Sequence, residues 1–192
     1  TQYHQILTHA TSDTARDVRR TVIELADQMP EADLRMRLLR PFLDDVSDVV
    51  ASEALVTIVH HDTSGLEPTL RRLKGVRGRR GRVADVWLST VMAGHFTRFI
   101  DDVAEYTRSP FGTNTSSYAF DVLGALGQPT GSVVAAIEHG LRSDDVIIRA
   151  AAAICTRKLM GPEVRAMLTR LRNSVSGDQR ATVEALLRDE EH

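Results

Sequence analysis

Residues 144–160 read DDVIIRAAAAICTRKLM, an acidic turn followed by an apolar–arginine pair and a helix of small residues that closes on a leucine. Residues 162–188, PEVRAMLTRLRNSVSGDQRATVEALLR, continue with a helix pattern, a Gly-Asp turn and another helix pattern. Similar order recurs in SDTARDVRRTVIELADQM (12–29) and in RPFLDDVSDVVASEALVTIV (40–59). Self-similarity of this kind indicates a tandem helical repeat.

The second helix of each repeat aligns on one register along the chain. The positions that open these helices lie 32, 33, 35, 30 and 31 residues apart and are Val18, Val50, Val83, Tyr118, Ile148 and Gln179. One helical turn later every position is apolar: Val22, Ala54, Trp87, Val122, Ala152 and Val183. Residues four apart share a helix face, so this register predicts a buried stripe. A period in the low thirties is what two helices of about 12 residues and two short turns occupy.

The pattern predicts six helix pairs and essentially no β-sheet, because no segment alternates with period two over β-branched residues. The predicted pairs are 2–9 with 13–28, 31–42 with 46–60, 66–74 with 82–93, 95–107 with 115–126, 130–142 with 145–159, and 162–173 with 178–189. Four aspartates are placed to cap second helices by accepting from their first amides: Asp13, Asp45, Asp145 and Asp178.

An aspartate in the turn, an apolar–arginine pair and small residues at helical spacing resemble the second-helix signature of HEAT repeats. The residues that carry it best are Asp145, Ile148, Arg149 and Ala152, together with Asp178, Arg180 and Val183. Asp13, Val18 and Arg19 match more weakly, and the repeat with Asp45, Val50 and Ala54 lacks the arginine. The resemblance implies an all-α superhelical stack, an α-solenoid, over one domain spanning 1–192. It also implies a concave surface of second helices, which in this family usually holds protein partners; a minority of members bind nucleic acid, and one branch comprises DNA glycosylases.

Composition narrows the class of protein further. Hydrophobic residues make up 42% and charged residues 26% of the 192 positions, as in soluble globular domains. The net charge of −2 gives no global attraction to nucleic acid or anionic membrane. No apolar run approaches the roughly 18 residues of a membrane span. A lone cysteine, Cys155, fits a reducing compartment, so we expect a cytoplasmic protein. The sequence opens at Thr1 without methionine, which is compatible with a piece of a longer chain.

Charge is uneven along the chain, and the two central repeats break the pattern. Residues 1–70 carry 12 acids and 6 bases, whereas residues 71–108 carry 9 bases and 4 acids. The turn RRLKGVRGRRGR (71–82) holds seven cations, and the turn RSPFGTNTSSY (108–118) is polar with an aromatic residue. Turns of one class share an edge in a repeat stack, so we predict that they form a basic edge. Its binding residues are Arg71, Arg72, Lys74, Arg77, Arg79, Arg80, Arg82, Arg108 and Phe111.

The basic edge has two interpretations. Arginine forks suit phosphate or carboxylate groups, so the edge is a docking site for an anion. The alternative is a solvated loop in a chain whose arginines outnumber its lysines 22 to 2.

Candidates for chemistry are weak. His60 and His61 are adjacent, so they point to different sides of a helix and do not chelate one metal in the usual i, i+4 way. Cys155 lies on a small-residue helix with no histidine nearby in sequence, which favours a buried structural thiol. Asp85 and Trp87 lie about 200° apart on their helix, against the glycosylase alternative. We therefore expect no catalytic residue, no metal and no cofactor.

These observations favour a non-catalytic protein-interaction scaffold or regulatory binding domain that uses the concave face, the 71–118 edge, or both. The expected partner is another protein or a peptide segment, acidic if it binds the basic edge. The alternative is a nucleic-acid-binding module that uses the 71–82 loop.

Overall fold

The computed structural model of the chain describes residues 2–61, 66–74, 82–108 and 112–189. Twelve α-helices account for most of these residues, and no β-strand occurs among them, so the all-α prediction is confirmed. The helices are α1 (Gln2–Ala10), α2 (Arg16–Asp27), α3 (Ala32–Leu39), α4 (Asp48–His61), α5 (Leu66–Lys74), α6 (Arg82–Ala93), α7 (Ile100–Tyr106), α8 (Thr113–Leu126), α9 (Gly131–Leu141), α10 (Val146–Lys158), α11 (Pro162–Arg172) and α12 (Gly177–Arg188). The even-numbered helices are the second helices of the predicted pairs.

Two first helices are shorter than predicted. The segment 31–42 leaves the α-helix at Leu39 and continues as a 3-10 helix, Arg40–Asp44, because Pro41 has no N–H to donate to the preceding turn. The segment 95–107 begins its α-helix only at Ile100, after a 3-10 turn. His95 there adopts a φ of 52°, which is incompatible with a right-handed helix.

The chain divides into two compact units, Thr1–Trp87 and Leu88–His192. In the first unit, α2, α3 and α4 pack against one another and α1 packs on α2. In the second unit, each first helix packs on its own second helix. There α9 also contacts α7 and α11, while α10 contacts α8 and α12.

The predicted register is the buried stripe of the second helices. Its six members are all buried, with at most 2% of their surface exposed: Val22, Ala54, Trp87, Val122, Ala152 and Val183. The indole of Trp87 is satisfied inside the first unit, where its Nε1–H donates to the Leu70 carbonyl at 3.1 Å. The apolar positions found in the sequence therefore form the core.

One arginine in each unit donates hydrogen bonds to the backbone carbonyls of the turn that precedes its own helix. Nη1 of Arg19 donates to the carbonyls of Asp13 and Thr14 at 2.8 and 3.0 Å, six and five residues earlier. Arg149 does the same in the second unit, with the Ser143 and Asp144 carbonyls at 2.8 and 3.4 Å. These are the two signature arginines that follow an apolar residue, so the apolar–arginine pair has a structural reason. The third signature arginine, Arg180, follows Gln179 and pairs with Glu184 of its own helix.

The same guanidinium groups reach forward to the next turn. Arg19 makes a bidentate ion pair with Asp45, with Nε–Oδ2 and Nη2–Oδ1 distances of 2.7 and 3.0 Å. Their side chains are 9% and 6% exposed, so the pair is buried. The hydrogen bonds that Arg19 donates to Asp45 raise the pKa of its guanidinium above the usual value. In the second unit Arg149 faces Asp178 at a longer 3.9 Å.

The capping prediction is confirmed for Asp145, whose Oδ1 accepts from the amides of Ile147 and Ile148. A hydrogen bond from Thr113, followed by these amides, lowers the pKa of Asp145. The prediction is wrong for Asp13 and Asp178, since α2 and α12 begin without a side-chain cap. Asp13 and Asp45 instead accept from the amide two residues later, inside the turn. An aspartate that lies one or two residues before the N-cap position accepts from an amide of the turn and does not reach the first amides of the helix.

The buried pair of Arg19 and Asp45 has a measurable consequence. We expect Asp45→Ala to lower the free energy of unfolding by about 2 kcal/mol, because the guanidinium keeps its burial and loses its counter-ion. The matched control is Glu184→Ala, which removes an exposed i, i+4 pair with Arg180 and should leave stability nearly unchanged. Urea denaturation followed by circular dichroism measures both. Equal losses in the two variants would contradict the buried pair as a stabilising contact.

Close packing of α9 gives a second test. A Cβ added at Gly140 would lie 2.5 Å from Phe120 Cζ on α8 and 2.7 Å from Ala152 Cβ on α10. We therefore expect Gly140→Ala to destabilise the second unit by about 1–3 kcal/mol. Gly131→Ala in the same helix meets nothing within 4 Å and should be neutral, or stabilising by up to about 1 kcal/mol. Thermal unfolding of the two variants compares them, and the packing is refuted if Gly140→Ala melts at or above the wild-type temperature.

Candidate functional site

The predicted basic edge lies largely beyond the part of the chain that the structure describes. Arg77, Arg79, Arg80 and Phe111 fall outside the described residues. The backbones of three further members are helical, with Arg72 and Lys74 in α5 and Arg82 at the start of α6.

Two members of the predicted edge have described side chains, and they belong to different units. Arg71 is exposed on α5 and its Nη2 lies 2.8 Å from Glu67 Oε1, one turn earlier. Arg108 is exposed just after α7, where its amide donates to the Glu105 carbonyl at 3.2 Å. Glu67 thus partly neutralises Arg71. The anion-docking edge stays a prediction.

The adjacent histidines end α4, as the sequence indicates. Their rings stack edge-to-face with centroids 5.0 Å apart. His61 Nε2 lies 2.6 Å from Asp27 Oδ1 on α2, so this imidazole links the ends of two second helices. Among the described residues no group of three or more His, Cys, Asp or Glu side chains is placed to hold a metal ion.

Cys155 lies buried in α10. Burial raises the pKa of its thiol to about 12. Because the thiolate is the nucleophilic form, the side chain is inert near neutral pH.

Exposed apolar side chains concentrate on the second helices. Within the described residues seven large apolar side chains are exposed, and five of them belong to α2, α4 or α10: Val18, Val56, Val146, Ile147 and Ile154. Single exposed apolar residues are normal on a protein surface, so only those that line a concave surface are candidates for a binding site.

In the first unit this surface forms a groove between α2 and α4, with Val86 of α6 at its margin. The groove encloses about 320 Å³, and we call it the α2–α4 groove. Val56, 53% exposed, lines it together with Ile23 and the hydroxyls of Ser52 and Thr57. Both hydroxyls donate to backbone carbonyls of α4 itself, so their hydrogen atoms are already engaged. Val56 is the exposed apolar side chain that a bound segment could contact in this groove.

The charged residues of the α2–α4 groove are mainly acidic. Glu24, Asp27 and Glu53 line it against a single cation among the lining residues described, Arg20. Arg20 is held by Glu53 in a bidentate pair with Nε–Oε2 and Nη2–Oε1 distances of 2.8 and 2.9 Å. Because the charges of Arg20 and Glu53 cancel, the net charge of the groove is set by Glu24 and Asp27 and is negative. Asp27 also contacts His61.

In the second unit the corresponding surface is a stripe along α10. Ile147 and Ile154, 53% and 46% exposed, are seven residues apart and therefore lie on one helix face. Ala150 and Ala151 stand between them, exposed and half-buried respectively. Small residues between two exposed isoleucines leave room for another helix to approach closely.

The sequence predicted two binding surfaces, the concave face of the second helices and the 71–118 edge, but site residues were named only at the edge. None of the residues of the α2–α4 groove was among them. A signal was present, because Arg20 and Glu53 are 33 residues apart, one predicted repeat period, and carry opposite charges.

None of the described helices combines the length and hydropathy needed to cross a bilayer. Comparison with protein-family models finds no match to this chain, and a search of curated proteins also finds none.

Proposed function

We propose that the chain is a HEAT-like α-solenoid that works as a protein-binding module. In this proposal the α2–α4 groove holds a basic, partly apolar segment of a partner protein. The observation that carries it is the exposed Val56 in an acidic groove between two second helices.

Helix contacts support the solenoid part of the proposal. In a stack of helix pairs, first helices contact first helices and second helices contact second helices. The second unit has both series, since α9 contacts α7 and α11, and α10 contacts α8 and α12. The first unit has the contact of α2 with α4.

Polar links between repeats give independent support, because they recur at the repeat period. Arg20 and Glu53 are 33 residues apart, and Arg157 and Asp189 are 32 apart. Thr113 and Asp145 are also 32 apart, as are Arg142 and Ser174. Links at this spacing are what a stack of repeats with a period of 32 or 33 residues would produce.

Charge selects the occupant of the groove. Glu24 and Asp27 favour lysine or arginine, and the half-exposed Val56 favours an aliphatic or aromatic side chain. An amphipathic helix that presents both types one turn apart meets these requirements. The acidic partner expected for the basic edge would be repelled here, so the groove and the edge predict partners of opposite charge.

The proposal assigns binding rather than catalysis to this protein. The thiol of Cys155 is buried and protonated near neutral pH. It therefore lacks the exposed and activated geometry of a nucleophile.

Selection from a random peptide library on the immobilised protein tests the groove. We expect enriched peptides to carry lysine or arginine beside an apolar residue, and to bind the wild type in fluorescence anisotropy. Val56→Lys should weaken the selected peptides by about tenfold or more, since it replaces an apolar contact with a like charge. The control is Val46→Lys, the same substitution at a valine that is 94% exposed in the turn before α4.

Two results would overturn the groove as the binding site. One is enrichment of acidic peptides, and the other is equal binding by Val56→Lys and wild type. Circular dichroism of both variants checks that the helices are intact.

The nucleic-acid alternative for the 71–82 loop has its own measurement. Under our proposal a 20-base-pair duplex and a single strand of nucleic acid show only weak, unspecific electrostatic binding, even at 50 mM salt. Specific use of the loop would instead give an affinity that falls steeply with the logarithm of salt concentration, with a slope set by the number of phosphate contacts. Charge reversal of Arg71, Arg72 and Lys74 would then lower that slope, because it removes three of the seven cations of the loop.

A further inference from the structure

We propose that protonation of His61 regulates the α2–α4 groove, so that the groove holds a basic segment near neutral pH and releases it at acidic pH. This inference rests on the proposed function, because it concerns the charge of the same groove. It assigns to His61 a role that the binding site alone does not require.

The contact between His61 and Asp27 joins a titratable ring to the wall of the groove. Asp27, the last residue of α2, lines the groove with half of its side chain exposed. Its Oδ1 lies 2.6 Å from Nε2 of His61, the last residue of α4. The described residues that line the groove do not include His61. The imidazole therefore acts on a bound segment through Asp27.

The geometry of this contact fixes where a proton is gained. An ionised carboxylate only accepts hydrogen bonds, so Nε2 of His61 carries a hydrogen and donates it to Asp27. The other ring nitrogen, Nδ1, is then the atom that takes up a proton when the ring becomes cationic. The contact with Asp27 persists through this step, but the pair passes from one net negative charge to none.

Other charged groups surround His61, since α4 packs against α2, α3 and the 3-10 helix. Those that line one cavity with His61 are Asp33, Arg35, Arg37 and Arg40. Arginine stays charged throughout the pH range of interest, so these guanidinium groups contribute a constant field. His60 stacks edge-to-face on His61 and also changes its charge between pH 5 and 8, so it needs a control. Asp62 lies outside the described residues.

The charge of the groove depends strongly on this one ring. Arg20 and Glu53 cancel each other, so the net negative charge comes from Glu24 and Asp27. Protonation of His61 offsets Asp27 and halves that net charge. A lysine or arginine of a bound segment then has Glu24 as its remaining uncompensated partner along the groove. The groove consequently holds a basic segment less tightly when His61 is cationic.

The direction of the pH dependence follows from which form of the ring each state favours. A cation bound beside Asp27 favours the neutral ring, so affinity falls as the pH falls. By the reciprocity of linked equilibria, binding of the basic segment also expels a proton from His61. Aspartate and glutamate ordinarily stay ionised above about pH 5, so the effect lies in the window in which histidine titrates.

Fluorescence anisotropy on the full chain tests the regulation with a peptide from the selection above that carries lysine or arginine but no histidine, aspartate or glutamate. A rhodamine label keeps its charge between pH 5.5 and 7.5. We expect the Kd of the wild type to be about threefold to fivefold higher at pH 5.5 than at pH 7.5, since one exposed charge contact is offset. His61→Gln keeps a donor for Asp27 without the titration, so its Kd should be the same at both pH values. His60→Gln, which removes the neighbouring exposed ring, should respond like the wild type.

Calorimetric titration of the same peptide at pH 6.5, in two buffers of different ionisation enthalpy, measures the expelled proton. We expect proton release from the wild type and none from His61→Gln. Equal Kd values of the wild type at both pH values, or a pH response that His61→Gln retains, would overturn the regulation while the groove stands as the binding site. Failure of every basic peptide to bind at pH 7.5 would overturn the proposed function and the regulation together. Circular dichroism at both pH values verifies that each variant is folded.

Discussion

The contact between one arginine and two turns is the interaction on which the arrangement of the first unit depends. Arg19 binds carbonyls of the turn before its own helix and the carboxylate of Asp45 in the turn before the next second helix. A single rigid fork therefore sets the distance between α2 and α4. The α2–α4 groove exists because these helices are held side by side while their outer faces stay uncovered. In the second unit Arg149 makes the same contact with the backbone of the turn before its own helix. Its contact with Asp178, near the start of the next second helix, is longer at 3.9 Å.

Below those polar ties, small and medium apolar side chains set how closely the helices approach. The buried stripe contains Ala54 and Ala152, and Gly140 leaves no space for even one methyl group against Phe120 and Ala152. Such contacts stabilise the units through burial, while the exposed valines and isoleucines contribute nothing to the core. Stability and the proposed binding surfaces consequently use different faces of the same second helices.

Charge distinguishes the α2–α4 groove from the basic turn that dominates the sequence. The groove is lined by Glu24, Asp27 and Glu53, whereas the turn 71–82 carries seven cations. The two surfaces therefore suit partners of opposite charge.

The sequence by itself determined the helices, the register and the buried stripe, because apolar side chains every three or four residues have a low free energy only when that face is covered. It also identified Arg19 and Arg149 as parts of a repeated signature. Helix ends at Leu39 and Ile100 and the roles of Asp13 and Asp178 were decided by local backbone geometry that periodicity does not encode. Only the tertiary structure placed Glu24 and Asp27 of α2 beside Val56 of α4 in one groove. Such groupings depend on how neighbouring helices pack and where side chains bend, and exposed positions carry no hydrophobic constraint from which they can be inferred.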